Sequence, residues 1–101
     1  MKIVVNRNYG LFEISKDFYE HYNIPYTRKY GTYCSTKEHI SRKDKRLVEY
    51  IEQYGSQKAS GGFSHLEVID IPNGTAYRIC EYDGAEYIEY RDELEWEIAE
   101  D

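Results

Sequence analysis

No stretch of this chain is both long and apolar. The first hydrophobic run, Ile3-Val4-Val5, falls far short of the roughly 18 residues a membrane span requires, so a membrane partner is not expected. Cysteine is scarce, with Cys34 and Cys80 far apart in sequence. No CxxC pair and no nearby His pair accompanies them, which argues against a disulfide framework and against a Cys-based zinc site. Both are expected to be buried thiols. Met1 to Gly10 is too short and polar for a signal peptide, and a cytoplasmic protein is expected. Basic residues are outnumbered: 13 Lys and Arg stand against 19 Asp and Glu, for a net charge of −6. No internal repeat or low-complexity run is present.

What the chain has instead is tyrosine. Twelve Tyr, three Phe and one Trp occur in 101 residues, a length that supports one domain with one modest core. Tyr joins an apolar ring to a hydroxyl that needs a partner, so it suits half-buried strands and contact surfaces. Charge is unevenly spread. From Ala76 onward there are ten acidic residues and only Arg78 and Arg91 as bases; the first 75 residues carry eleven basic and nine acidic residues.

Periodicity predicts an α+β domain: a mainly antiparallel sheet with one or two helices packed on one face. Lys2–Asn6 reads as a central strand. Ser15 is placed to cap a short helix over 16–22, ended by Asn23 and Pro25. Tyr26 to Ser35 has the composition of an irregular or edge strand. Ser41 would cap a second helix over Arg42–Tyr54, with Leu47, Val48, Ile51 and Tyr54 on one stripe and Gly55 as its stop. The Gly-rich segment from Ser56 to Ser64 reads as a mobile loop. Strands over His65–Ile71, Thr75–Tyr82 and Ala85–Tyr90 are predicted to form a meander joined by the first strand. Asp83-Gly84 is the strongest hairpin signal in the sequence. An acidic tail over about 91–101, holding Trp96 and Ile98, would follow.

Little in this pattern supports catalysis. His21, His39 and His65 stand in no recognisable catalytic motif, and the five-residue spacing of Cys34 and His39 means little by itself. Gly61-Gly62 after Lys58-Ala59-Ser60 suggests a phosphate loop only weakly, since a helix precedes it and a strand follows. No enzyme activity, cofactor, metal or catalytic residue is expected.

Two surfaces remain as candidate sites. The first is acidic and aromatic: Glu81, Tyr82, Asp83, Glu86, Tyr87, Glu89, Tyr90 and Trp96, suited to a basic protein surface with the rings as anchors. The second is the basic cluster Lys37, Arg42, Lys43, Lys45 and Arg46. It sits where a helix dipole disfavours cations, and it would suit nucleic-acid phosphates.

Several blocks carry a resemblance. They are Met1-Lys2-Ile3-Val4-Val5-Asn6-Arg7 with Tyr9-Gly10, Phe12 and Ser15, then Leu47-Val48-Glu49 with Tyr54-Gly55 and Ala59-Ser60-Gly61, then Leu66-Glu67-Val68-Ile69-Asp70-Ile71-Pro72 and Glu81-Tyr82-Asp83-Gly84-Ala85-Glu86. Together they resemble a family of small phage and prophage proteins. The resemblance implies only a phage accessory product acting inside a bacterial cell; a binding role, with a bacterial host or defence protein as partner, is the function expected of it. It implies no activity and no catalytic residue.

Overall fold

Lys2–Asn6 forms β1, and four of its five residues are buried. A strand that is apolar at successive positions must be covered on both faces, because its side chains alternate. That cover is present. Val4 belongs to one core cluster, with Phe18, Leu47, Tyr50, Ile51 and Leu66. Ile3 belongs to a second, with Met1, Ile71, Tyr77 and Ala99. The computed structural model of the chain describes residues 1–28, 34–90 and 97–99, and the side chains of these except at 28, 34, 35, 97 and 98. Tyr30, Tyr33 and Trp96 therefore lie outside the described residues.

Helix α1 spans Lys16–His21, and the Ser15 hydroxyl accepts from the Phe18 amide as a cap should. Asn23 takes a positive φ of 55° just beyond it, a conformation that Asn tolerates better than most residues. Helix α2 spans Lys45–Tyr54 and buries Leu47, Val48, Tyr50 and Ile51. Its cap is Asp44, whose carboxylate accepts from the Arg46 amide. This corrects the expected start at Ser41. The carbonyl of Arg42 is engaged by the Val4 amide at 2.8 Å, so residues 41–43 run beside β1 before the helix begins. Tyr54 closes the apolar stripe but is 42% exposed; Tyr50, buried and edge-on to Phe18, takes its expected place.

The segment expected to be a mobile loop holds a short helix, α3, over Ser56–Ala59. It is fastened to the start of α1: the Ser15 amide donates to Ala59, and Ile14 and Ser60 form a bridge. Gly61 packs so closely on Ile14 that an added Cβ would lie 2.8 Å from its carbonyl oxygen.

The antiparallel strands do not form one sheet. β4, Leu66–Asp70, pairs with β1. β5, Ala76–Tyr82, pairs with β6, Ala85–Tyr90, and on its other edge with β7, Glu97–Ile98. β2, Thr27–Arg28, and β3, Cys34–Ser35, form a separate pair where an irregular or edge strand was expected. The predicted meander is thus broken between β4 and β5. Ile71 stays in register with Met1, Pro72 has no amide to extend a ladder, and a turn closes from Thr75 to the Pro72 carbonyl. The Gly74 amide then donates to the Ala99 carbonyl and the Ala99 amide to the Thr75 carbonyl, which commits the connector to β7. β1 lies beside β6 without pairing to it; a side chain makes the link.

Candidate interaction surface

The hairpin of β5 and β6 turns on Asp83 and Gly84, both at positive φ, 54° and 91°. Two such residues in a row give the turn whose twist matches its strands. The tip is held against the loop that follows β1. Gly10 donates its amide to the Asp83 carbonyl at 2.9 Å. A Cβ on Gly84 would come within 1.8 Å of the Gly10 carbonyl oxygen, so only glycine permits this approach.

Asn6 is the polar centre of that joint and is fully buried. Its carboxamide nitrogen lies within 3.0–3.4 Å of the carbonyls of Asn8, Gly10, Leu11 and Gly84. Its carboxamide oxygen accepts from the amides of Asn8 and His65. One side chain therefore ties β1, its loop, the start of β4 and the hairpin turn. A buried amide is tolerated only when satisfied in this way.

Glu86 is the second fastening. Its side chain is only 10% exposed and takes both Arg42 guanidinium nitrogens at 2.6 Å. The oxygen facing Arg42 Nη1 also accepts the Asn6 amide at 2.7 Å. Arg42 lies 4.2 Å above the Phe12 ring. A paired, hydrogen-bonded carboxylate is a structural latch rather than a surface charge. The two candidate surfaces thus each contribute one residue to the same internal ion pair.

The remaining acidic and aromatic residues divide by face. Arg78, Cys80 and Tyr82 stand opposite Glu89, Tyr87 and Ala85 on the outer face. Tyr90, opposite Tyr77 on the inner face, is 50% exposed at the strand end; on the outer face Tyr82 is 72% exposed and Tyr87 43%. Cys80 is half-buried on this face rather than buried. Glu89 is paired with Arg78 at 3.2 Å, whereas exposed Glu81 and Asp83 form no ion pair among the described residues. Three further large side chains flank the tip and carried no signal beyond apolar residues set among turn formers: Tyr9, Leu11 and Phe63, each at least 63% exposed. Asn8 joins their two loops by donating to the Phe63 carbonyl at 2.7 Å.

The basic cluster is likewise divided. Arg46 binds Asp44 at 2.9 Å and Glu38 at 3.2 Å. The hydrogen bond from Arg46 holds the Asp44 carboxyl below its ordinary range, and Asp44 and Glu38 raise the guanidinium pKa in turn. Lys37, Lys43 and Lys45 are exposed and form no ion pair among the described residues. Lys43 borders a groove of about 690 Å³ with Ile3, Phe12, Ile40, Tyr77 and Ile79. Among the described residues, no group of His, Cys, Asp and Glu is placed to hold a metal, and no helix is long and apolar enough to cross a membrane. Comparisons with protein-family models, curated proteins and solved structures give no match.

Proposed function

We propose that this protein is a non-enzymatic binding protein whose partner contacts the outer face and tip of the β5–β6 hairpin. One observation carries this reading. Tyr82 and Tyr87 on the outer face, with Tyr9, Leu11 and Phe63 beside the tip, are 43–75% exposed. Large apolar side chains grouped on an anchored element are the usual material of a contact surface. Glu81 and Asp83 add negative charge at its border, which favours a partner with a basic rim. The sequence resemblance to small phage and prophage proteins supports a bacterial host or defence protein as that partner, met in the cytoplasm. His21 is packed among Tyr22, Tyr50 and Tyr54, and His65 lies beside Glu67, positions suited to packing and surface pairing.

The test is capture from a bacterial lysate by the immobilised full chain, followed by mass spectrometry. A protein retained by the wild type should be lost from the Tyr82→Ala/Tyr87→Ala variant and kept by Lys43→Ala/Lys45→Ala. The reverse pattern would reject the hairpin surface.

A second reading is favoured by the unpaired state of Lys37, Lys43 and Lys45, which could meet nucleic-acid phosphates. With Arg42 and Arg46 already engaged, about three contacts remain. Binding in a gel shift should then fall with salt at a log–log slope of about −2 to −3. Absence of salt-dependent binding would remove this reading.

A further inference from the structure

The two core clusters meet at a seam that they do not close. On one side stand Phe12 and Ile40, half-buried against the cluster that holds Val4 and Leu47. On the other stand Ile3 and Tyr77 of the second cluster, with Ile79 half-buried beside them. These five side chains line the groove of about 690 Å³, a volume within the roughly 300–1,000 Å³ of small-molecule sites. The wetted apolar atoms of Phe12, Ile40 and Ile79 would gain by being covered.

The rest of the lining is basic or neutral. His39, Ser41, Arg42 and Lys43 complete it, with no Asp or Glu among the described residues. The two neighbouring grooves are mixed. One sets Lys2, Lys43 and Lys45 against Glu49, Glu52 and Asp70; the other sets Lys37 against Glu13 and Glu38. An apolar groove bordered by bases alone is therefore distinctive in a chain of net charge −6. Its donors are also set in place. The Arg42 carbonyl accepts from the Val4 amide at 2.8 Å, and the Ser41 hydroxyl accepts from the Lys43 amide at 3.1 Å, so the backbone carrying both bases is fastened. Arg42 gives one N–H from each terminal nitrogen to Glu86, and the rest of its donor fork has no partner among the described residues. Lys43 is exposed and forms no ion pair among them.

We propose that this groove binds a small apolar molecule bearing one carboxylate. The apolar body lies along the seam between Ile40 and Ile79. The carboxylate takes Lys43 and the open donors of Arg42, with His39 beside them. Charge decides the head group. One unpaired ammonium, next to a guanidinium that already shares its charge with Glu86, balances about one negative charge, whereas a phosphate monoester carries about −1.5 to −2. The site is separate from the proposed contact surface, because Tyr77 and Ile79 alternate along β5 with the outward-facing Arg78 and Cys80.

Amide-resolved NMR of the full chain tests this, with 2-naphthoate as the probe and its neutral isostere 2-naphthamide as the control. Naphthoate should bind saturably with a Kd at or below about 1 mM. It should move the amides of Ile3, Ile40, Lys43 and Ile79 and leave those of Tyr82 and Tyr87 in place. Naphthamide should bind at least about fivefold more weakly, and Lys43→Glu should weaken naphthoate at least about tenfold while Lys43→Arg retains it. Lys43 has no partner to lose, so these variants should keep the wild-type spectrum away from the groove. The absence of saturable binding in that range, equal binding of acid and amide, or shifts confined to the outer hairpin face would overturn the proposal. An oligonucleotide or acidic peptide that moves the groove amides where naphthoate does not would do so too.

Discussion

The two faces of the β5–β6 hairpin use the same residue types for opposite ends. On the inner side Glu86 is sequestered, both oxygens held by Arg42 and one also by the Asn6 amide. Glu81, opposite Glu86 but next to the tip, and Asp83 in the turn stand in water, and on the outer face Glu89 makes an exposed pair with Arg78. Desolvation sets the difference. A bidentate pair with one member nearly buried is costly to break from one side, whereas an exposed pair is worth about 0–1 kcal/mol. A count of acids along the strand therefore overstates the contact surface and hides the latch inside it.

The largest disruption should come from the glycine under the tip. Gly84→Ala must hold a positive φ and also push its Cβ into the Gly10 carbonyl. The two costs together should reach about 2–5 kcal/mol in denaturant unfolding. Asn6→Asp comes next. It keeps the shape but turns a carboxylate oxygen toward the carbonyls of Asn8, Gly10 and Gly84. A loss of about 2–4 kcal/mol in the same measurement is expected, from buried groups left without donors.

A smaller effect, away from the hairpin, sharpens the contrast through pH. Asp44 caps α2 and its pKa lies below the ordinary value, held there chiefly by the Arg46 side chain. Its contribution is present above the unfolded carboxyl pKa of about 3.9 and is lost as pH falls through the lower folded value. Asp44→Ala should cost about 1 kcal/mol at neutral pH, with the difference from wild type shrinking under acid titration.

Much of the local structure was legible. Ser15, Asp83-Gly84 and Gly55 each mark a boundary by their own backbone chemistry, and all three do so where expected. What escaped was long-range. Nothing near Pro72 in sequence says that β5 would take β7 instead of β4, because that choice rests on Ala99 reaching Thr75 and Gly74. The role of Asn6 escaped for the same reason: its partners are Gly84 and His65, 78 and 59 positions away. The candidate surface was half legible. The hairpin tyrosines could be placed by strand alternation, but Leu11 and Phe63 join them only through the docking of two loops, and Glu86 leaves them only because Arg42 lies on the other side.

Glu86 latches Arg42 to the hairpin. A double-mutant cycle in denaturant unfolding tests it most directly, using Arg42→Met, Glu86→Gln and the pair together. Each single change should destabilise, and the double variant should lose less than their sum, with a coupling of about 1.5–3 kcal/mol, the size of hydrogen bonds to charged groups. Additive losses, with coupling near zero, would show that the two side chains do not depend on each other and would contradict it.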